Sequence, residues 1–239
     1  YRSTRTHFRY QPLKGQFVAT TFVMGAAVTG ARKRIGYFDE RNGIFLQQTS
    51  TGLAIVLRSY TSGAVVETVV PQASWSEDAF MGRGPSQKIL QPTLSQILLI
   101  DFQWLGSGRV RVGFDIDGVE YEAHRFNNAN NLDVVYMTNP NLPVRAEVEN
   151  TALASGTATL EQICAAVTSE GGFEVDRGFP FSAFTDPASP ISVTTRRPVL
   201  SVRAAAAGPG GALNIGQIIP QTFHVLAETE GVLVEAVAG

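Results

Sequence analysis

The sequence has 239 residues, 44% of them hydrophobic and 17% charged, with a formal net charge of −2. This length suffices for one large β-sandwich or two smaller domains, and the near-zero net charge excludes a bulk electrostatic attraction to nucleic acid. A single cysteine, Cys164, excludes an intramolecular disulfide and a zinc site built from cysteines. No apolar run approaches the roughly 20 residues of a membrane-spanning helix, so we expect a soluble protein without membrane insertion.

Short runs of β-branched and aromatic residues, separated by turn signals, predict strands in the first 70 residues. The predicted strands are 16–28, 33–39, 44–48, 53–59 and 64–70. The tripeptide Arg41-Asn42-Gly43 predicts a tight hairpin, because Asn-Gly supplies the positive φ angles of a type I′ turn. Residues 71–95 are predicted as a loop that holds a short helical turn at 76–81.

The centre of the chain has the clearest strand pattern. Residues 96–104 form an apolar run, and residues 109–116 and 119–126 alternate between apolar and polar positions around a second hairpin signal, Asp117-Gly118. A meander with one polar face is typical of antiparallel sheets. Further strands are predicted at 132–137, 144–148, 191–195, 199–202, 215–219, 222–227 and 232–237.

Residues 157–170 fit either a helix or a strand, and the antiparallel context favours a strand. About a dozen strands without a βαβ rhythm predict an all-β protein, an antiparallel β-sandwich or jelly roll of the concanavalin-like kind with few or no helices. The expected organisation is an N-terminal arm at 1–15 and a sandwich core at 16–175. Residues 176–239 would complete the sandwich or begin a second small β domain.

Motifs for catalysis, metals and cofactors are weak. The three histidines are far apart in sequence, and no G-x-S-x-G elbow accompanies them. The segment Asp115-Ile116-Asp117-Gly118 begins like a calcium loop, but the closing glutamate falls at Phe126, so a hairpin is favoured. We therefore predict no metal and no cofactor. The basic cluster Arg32-Lys33-Arg34 is interpreted as a solvated strand edge, with an anionic partner as the alternative.

Two carboxylate pairs, Glu120 with Glu122 and Glu147 with Glu149, are spaced to lie on one face of a strand. A glycosidase needs two carboxyl groups about 5 Å apart in unequal environments. Cross-strand pairing with arginines is the favoured alternative, and the candidate partners are Arg109, Arg111 and Arg145. We therefore expect the protein not to be an enzyme.

Several long strings are distinctive: Asp101-Phe102-Gln103-Trp104-Leu105-Gly106, Gly108-Arg109-Val110-Arg111-Val112-Gly113-Phe114, Phe126-Asn127-Asn128-Ala129-Asn130 and Pro140-Asn141-Leu142-Pro143-Val144-Arg145. Over about residues 34–237 the chain resembles a family of bacteriophage virion structural proteins. This resemblance implies a lectin-like or jelly-roll sandwich located in the virion, and it supplies no catalytic residue. It also implies proteins that extend beyond this C-terminus, so we expect the sequence to be an excerpt of a longer chain.

The resulting hypothesis is a non-enzymatic structural component of a phage particle: a tail, fibre, baseplate or capsid decoration protein. It would contact copies of itself, as a homo-oligomer, and other virion proteins. The charged fraction, below the roughly 25% of average domains, suits a surface that neighbours cover. The alternative is a carbohydrate-binding module for a host surface glycan, and a glycan depolymerase is the third hypothesis. The candidate contact residues are Arg2, Arg5, Arg9, Trp75, Phe80, Asn127, Asn128, Asn130 and Tyr136.

Overall fold

The computed structural model describes residues 1–171, 182–186, 189, 191–195, 197–203 and 225. The chain divides into two compact units, Tyr1–Val175 and Asp176–Gly239, and the strands of the described residues all lie in the first. They are β1 (Arg2–Ser3), β2 (Gln16–Val23), β3 (Ala31–Phe38), β4 (Gly43–Thr49), β5 (Gly52–Ser59), β6 (Val66–Pro71), β7 (Gln96–Phe102), β8 (Val110–Ile116), β9 (Val119–Phe126), β10 (Val144–Asn150) and β11 (Glu161–Ser169). The one helical element described is a 3-10 turn at Gln72–Ser74.

The strands form two antiparallel sheets that pack as a sandwich. The six-stranded sheet has the order β1-β10-β3-β4-β5-β6, and the five-stranded sheet has the order β11-β2-β7-β8-β9. Side chains alternate along each strand, and on β2 every second residue is buried. The all-β sandwich predicted from the sequence is confirmed.

The core lies between the sheets and is rich in aromatic rings. Phe114 is fully buried, and its ring lies 5.4 Å from that of Phe80 and 6.1 Å from that of Trp75. Trp104 packs at the core margin, where its ring meets Tyr10 edge-on and its Nε1 donates to the Met137 carbonyl oxygen. Buried aromatics of this kind dominate the energetics of a sandwich core.

The two predicted hairpins form, with different turns. Asp117 and Gly118 have φ angles of 59° and 77°, which matches the type I′ turn expected between β8 and β9. Between β3 and β4 the Asp39 carboxylate accepts hydrogen bonds from the backbone N–H groups of Arg41 and Asn42, both at 2.7 Å. This hairpin is therefore closed by a longer, side-chain-capped turn, and the type I′ assignment there is wrong.

Several predicted elements are corrected. Residues 132–137 are a loop, because the Tyr136 N–H donates to the Gly106 carbonyl oxygen instead of to a neighbouring strand. No helical turn forms at 76–81, since the Asp78 carboxylate accepts the N–H of Phe80; the turn occurs earlier, at Gln72–Ser74.

Farther along the chain, residues 157–170 contain strand β11, as the antiparallel context favoured. The described residues at 191–195 and 199–202 have no strand structure. The strands predicted at 215–219, 222–227 and 232–237 lie outside the described residues.

The N-terminal arm packs on its own chain. Strand β1 pairs with β10, and Phe8 forms an isolated bridge with Leu142. Tyr10 is only 6% exposed and stacks on Phe102. Residues 1–11 therefore extend one sheet and seal one end of the core.

Candidate functional site

The outer face of the six-stranded sheet, turned away from the core, carries a groove of about 590 Å³. We call it the ionic groove, because eight of its eleven lining residues are charged although the chain as a whole is poor in charge. Its lining residues are Tyr1, Arg32, Arg34, Glu40, Arg58, Val65, Glu67, Arg145, Glu147, Val148 and Glu149.

An apolar floor underlies these charges. Phe38, Phe45, Ala54 and Val56 form a separate buried cluster, and the two phenyl rings lie 4.5 Å apart. Strand alternation explains this position: the residues lie in β3, β4 and β5 on the face opposite the core. The sheet thus has one apolar layer inside the sandwich and a second, smaller one beneath the groove.

Three guanidinium groups cover the floor. The Arg58 guanidinium lies 4.9 Å from the centre of the Phe45 ring, and that of Arg34 lies 5.7 Å from it. The Arg145 guanidinium lies 5.6 Å from the Phe38 ring and 4.2 Å from the ring of Tyr1, which lies at the groove edge. Cation–π contacts of this kind contribute about 0.5–2 kcal/mol each, depending on desolvation.

Glu147 is the central carboxylate of the groove. Its Oε1 lies 2.5 Å from Arg34 Nη1, and its Oε2 lies 2.9 Å from Arg145 Nη2. Only 12% of its side chain is exposed. The pairing of β10 with β3 places Glu147 directly opposite Arg34, which fixes this contact.

Further carboxylates extend the network to the rim. Glu67 Oε1 accepts from Arg58 at 2.7 Å, and Glu149 Oε2 accepts from Arg32 at 2.6 Å. The hydrogen bond from Arg32 lowers the pKa of Glu149, and the hydrogen bond from Arg145 lowers that of Glu40. Both rim carboxyls are therefore held ionised.

Some polar atoms of the groove remain open to a ligand. Within the described part of the chain, no group donates a hydrogen bond to Glu67 Oε2 or to Glu149 Oε1. Arg34 Nη2 lies 4.0 Å from Glu67 Oε1, beyond hydrogen-bond distance. The groove thus presents two hydrogen-bond acceptors, Glu67 Oε2 and Glu149 Oε1, and one donor, Arg34 Nη2, above its apolar floor.

The structure brings together one of the two predicted carboxylate pairs. Glu147 and Glu149 line the groove. Arg145 contacts Glu147 from the same strand, β10, so it is not the cross-strand partner that the sequence predicted; that partner is Arg34 in β3. Glu120 and Glu122 lie on β9 of the other sheet, where Glu122 pairs with Arg125. The lowered pKa of Glu149 works against the protonated acid that glycoside hydrolysis needs.

Four predicted contact residues are buried, so their assignment as ligand contacts is corrected. Trp75 and Phe80 belong to the core around Phe114, because the loop after β6 folds back into the sandwich. Tyr136 is 3% exposed, and Asn128, 4% exposed, donates to the Gly108 carbonyl oxygen.

The other predicted contact residues lie away from the groove lining. Asn127 and Asn130 are exposed in the loop after β9, Arg2 and Arg5 are exposed on the arm, and Arg9 is half-buried.

The basic cluster Arg32-Lys33-Arg34 is also not a solvated edge. Strand β3 lies between β10 and β4, so its two arginines point into the groove while Lys33 points inward. Lys33 is 2% exposed and donates to the carbonyl oxygens of Met24 and Ala26, both at 2.7 Å. The i, i+2 spacing of Arg32 and Arg34 was the one signal that could have placed them on a shared face.

The described ranges hold no cluster of three or more His, Cys, Asp and Glu side chains suited to a metal ion. Among the same residues no helix has the length and apolar character needed to cross a membrane.

Comparison with known proteins gives a fold likeness and no family. No family model matches the sequence, and no curated protein matches it. Among solved structures the chain is similar to an endo-β-1,4-glucuronan lyase from the fungus Trichoderma reesei, with 12% identity and a TM-score of 0.36 over 69% of this chain and 70% of that one.

That similar structure belongs to an enzyme, which contradicts the prediction that this protein is not one, and we withdraw that prediction. A likeness this weak assigns no reaction to the chain. The resemblance to phage virion proteins is not tested by these comparisons and stays a prediction.

Proposed function

We propose that this β-sandwich binds an extended glycan in the ionic groove and does so as part of a bacteriophage particle. The observation that carries the proposal is a concavity on a sheet face outside the core that combines the exposed apolar side chains of Tyr1, Val65 and Val148 with open polar atoms of both kinds. Binding sites for small ligands typically combine apolar surface with a few placed polar groups in a concavity of about 300–1,000 Å³.

The shape of the groove suits a chain-like ligand. It extends from β10 across β3 to β5 and to residues of β6. Those strands belong to a run of five neighbours, which spans about 19 Å at roughly 4.8 Å per strand spacing. A long, shallow groove of this kind fits several consecutive units of a polymer better than one compact molecule.

The groove is organised before any ligand arrives. Arg34, Arg145 and Glu147 have side chains only 6–12% exposed, and ion pairs and ring contacts fix their positions. Because these side chains lose little further freedom when a ligand binds, the side-chain part of the entropic penalty of association is small. Such preorganisation is expected of a binding face and not of a merely charged surface.

Screening the purified chain on a glycan array tests the proposal. We expect retention of one class of glycan, and loss of that retention in the double variant Arg32→Ala with Glu149→Ala, which leaves the net charge unchanged. Glu120→Gln, on the exposed part of β9, is the control and should bind like wild type. An array without any retained glycan, or a double variant that binds normally, would overturn the proposal.

The virion location is supported by the resemblance described above, and a structural feature supports self-association. Strand β6 forms one edge of its sheet, and the exposed fractions of Val65, Val66 and Val69 beside that edge are 48%, 52% and 45%. Exposed apolar edge strands pair readily with further strands. Light scattering should therefore give a defined oligomer that Val66→Lys with Val69→Lys dissociates; a monomer at high concentration would contradict this part.

A further inference from the structure

We infer that the ionic groove selects uncharged, hydroxyl-rich glycans and rejects polyuronates, with Glu67 and Glu149 as the residues that determine this specificity. The inference rests on the proposed function, since it names the ligand class of the same site. It depends on three properties of the groove: its balance of positive and negative charges, the pairing of its arginines with protein carboxylates, and the carboxylate oxygens that have no hydrogen-bond donor among the described residues.

The groove is electrically balanced. Its lining contains four arginines and four glutamates, and it contains no other charged side chain. The whole chain carries a formal charge of only −2. A polyanionic ligand would therefore gain no net Coulomb attraction from the site, although four arginines are present.

Two of the four arginines, Arg58 and Arg145, are already engaged at every guanidinium nitrogen. The Nε and Nη2 atoms of Arg58 donate to Glu67, and its Nη1 donates to the Asp39 carbonyl oxygen. Arg145 donates from Nη1 to Glu40 and from Nε to Glu147. A ligand carboxylate could reach these guanidinium groups only by displacing a protein carboxylate, which would leave that second charge unpaired in a partly buried position.

The open atoms favour hydroxyl groups. Glu67 Oε2 and Glu149 Oε1 can only accept hydrogen bonds while the carboxylates are ionised, so they require a ligand that donates. A sugar hydroxyl donates to such an oxygen and can accept from Arg34 Nη2. A uronate carboxylate cannot donate a hydrogen bond, and it would lie beside the negative charges of Glu67 and Glu149.

Glu67 and Glu149 suit this role because they lie on opposite sides of the groove, in β6 and β10. Their side chains are 22% and 47% exposed, so a ligand can reach them. Each also neutralises an arginine, Arg58 and Arg32 respectively. Replacing both by glutamine would keep the shapes, expose two unneutralised guanidinium groups and give the groove a formal charge of +2.

The test is calorimetric titration of wild type and of the double variant Glu67→Gln with Glu149→Gln. The probes are oligosaccharide pairs matched in length and linkage, one member neutral and the other built from uronic acids. We expect wild type to bind a neutral member at least about tenfold more tightly than its uronate counterpart. In the variant, the ratio of the two affinities should shift towards the uronate by at least about tenfold, or 1.4 kcal/mol.

Controls separate a charge effect in the groove from other causes. Glu120→Gln with Glu161→Gln changes the whole-chain charge by the same amount at exposed positions outside the groove, and it should leave the affinity ratio unchanged. If the double variant does not fold, the single variant Glu149→Gln replaces it in the same titration, because Glu149 is more exposed than Glu67. Uronate binding to the variant should weaken as salt rises from about 0.05 to 0.5 M, because added salt screens charge attraction.

Each outcome is decisive. Wild type that prefers uronates, or an affinity ratio that the Glu→Gln changes leave unaltered, overturns this inference and leaves glycan binding standing. Binding of neither probe class by any variant overturns the proposed function together with the inference.

Discussion

The replacement Glu147→Gln probes the centre of the ionic groove, because this one carboxylate holds two guanidinium groups. Arg34 lies 2.5 Å from one of its oxygens and Arg145 lies 2.9 Å from the other. Glutamine has the same shape but no charge, and it offers a single acceptor oxygen. One of the two contacts can therefore survive as a weaker hydrogen bond, and the other is lost.

The expected magnitude follows from burial. A hydrogen bond to a charged group contributes about 1.5–3 kcal/mol, and removing one partner of a buried ion pair costs about 3–5 kcal/mol. Partial compensation is available, because Arg145 keeps Glu40 at 2.7 Å and Arg34 keeps Glu149 at 3.6 Å. We therefore expect Glu147→Gln to lower the free energy of unfolding by about 2–3 kcal/mol.

Urea unfolding followed by tryptophan fluorescence measures this change, since Trp75 is buried in the core and Trp104 packs at its margin. Glu120→Gln is the matched control, because Glu120 is exposed and has no ion pair among the described residues. This replacement should change the free energy of unfolding by no more than about 0.5 kcal/mol. A loss for Glu147→Gln no larger than that of the control would refute the argument that the network is organised by burial.

Further changes test other parts of the structure. The pKa of Glu149 is lowered mainly by its hydrogen bond from Arg32, so its stabilisation is complete above the ordinary pKa of 4.5 and is lost as pH falls through the lower folded value. Urea titrations of wild type and Glu149→Gln between pH 3 and pH 7, at roughly unit steps, measure this. The difference in free energy of unfolding should be below about 1 kcal/mol at neutral pH, because the pair is exposed, and it should vanish at the acid end. A difference that stays constant with pH would contradict a stabilising ion pair between Arg32 and Glu149. Gly118→Ala should cost about 1 kcal/mol, because φ is +77° while no atom lies within 4 Å of the new Cβ. In the same assay Gly113→Ala should lower the free energy of unfolding by clearly more, because the new Cβ would clash with the Tyr121 carbonyl oxygen. Equal losses of stability for the two variants would contradict this expectation.

Local signals in the sequence predicted most strands of the first 171 residues and one of the two hairpin turns correctly. The Asp117-Gly118 turn and the alternation around it depend on neighbouring residues only, and both appear as expected. Strand β11 was favoured over a helix because its surroundings are antiparallel, and it pairs with β2. These predictions succeeded because periodicity and turn chemistry are short-range properties.

The ionic groove could not be predicted in the same way. Arg34 and Glu147 are separated by more than a hundred residues, and they meet only because β3 and β10 become neighbours. Their spacing within each strand was visible in the sequence, whereas the pairing of the two strands depends on the topology of the sheet.

The loop aromatics illustrate a different failure. Trp75 and Phe80 lie in a segment rich in proline and glycine, which predicted an exposed loop and a ligand contact. The segment instead folds onto the core, where the Asp78 carboxylate accepts backbone N–H groups from Phe80 and Ser86 at 2.7 Å. One buried carboxylate thus replaces the hydrogen bonds of regular structure and lets the loop enter the sandwich.

A crystal structure of the chain with a neutral oligosaccharide, chosen from the array, tests glycan binding in the ionic groove most directly. We expect the sugar to lie across β10, β3 and β6, with hydroxyl groups hydrogen-bonded to Glu67 and Glu149. An oligosaccharide bound instead at the exposed loop of Asn127 and Asn130, with the groove empty, would contradict it.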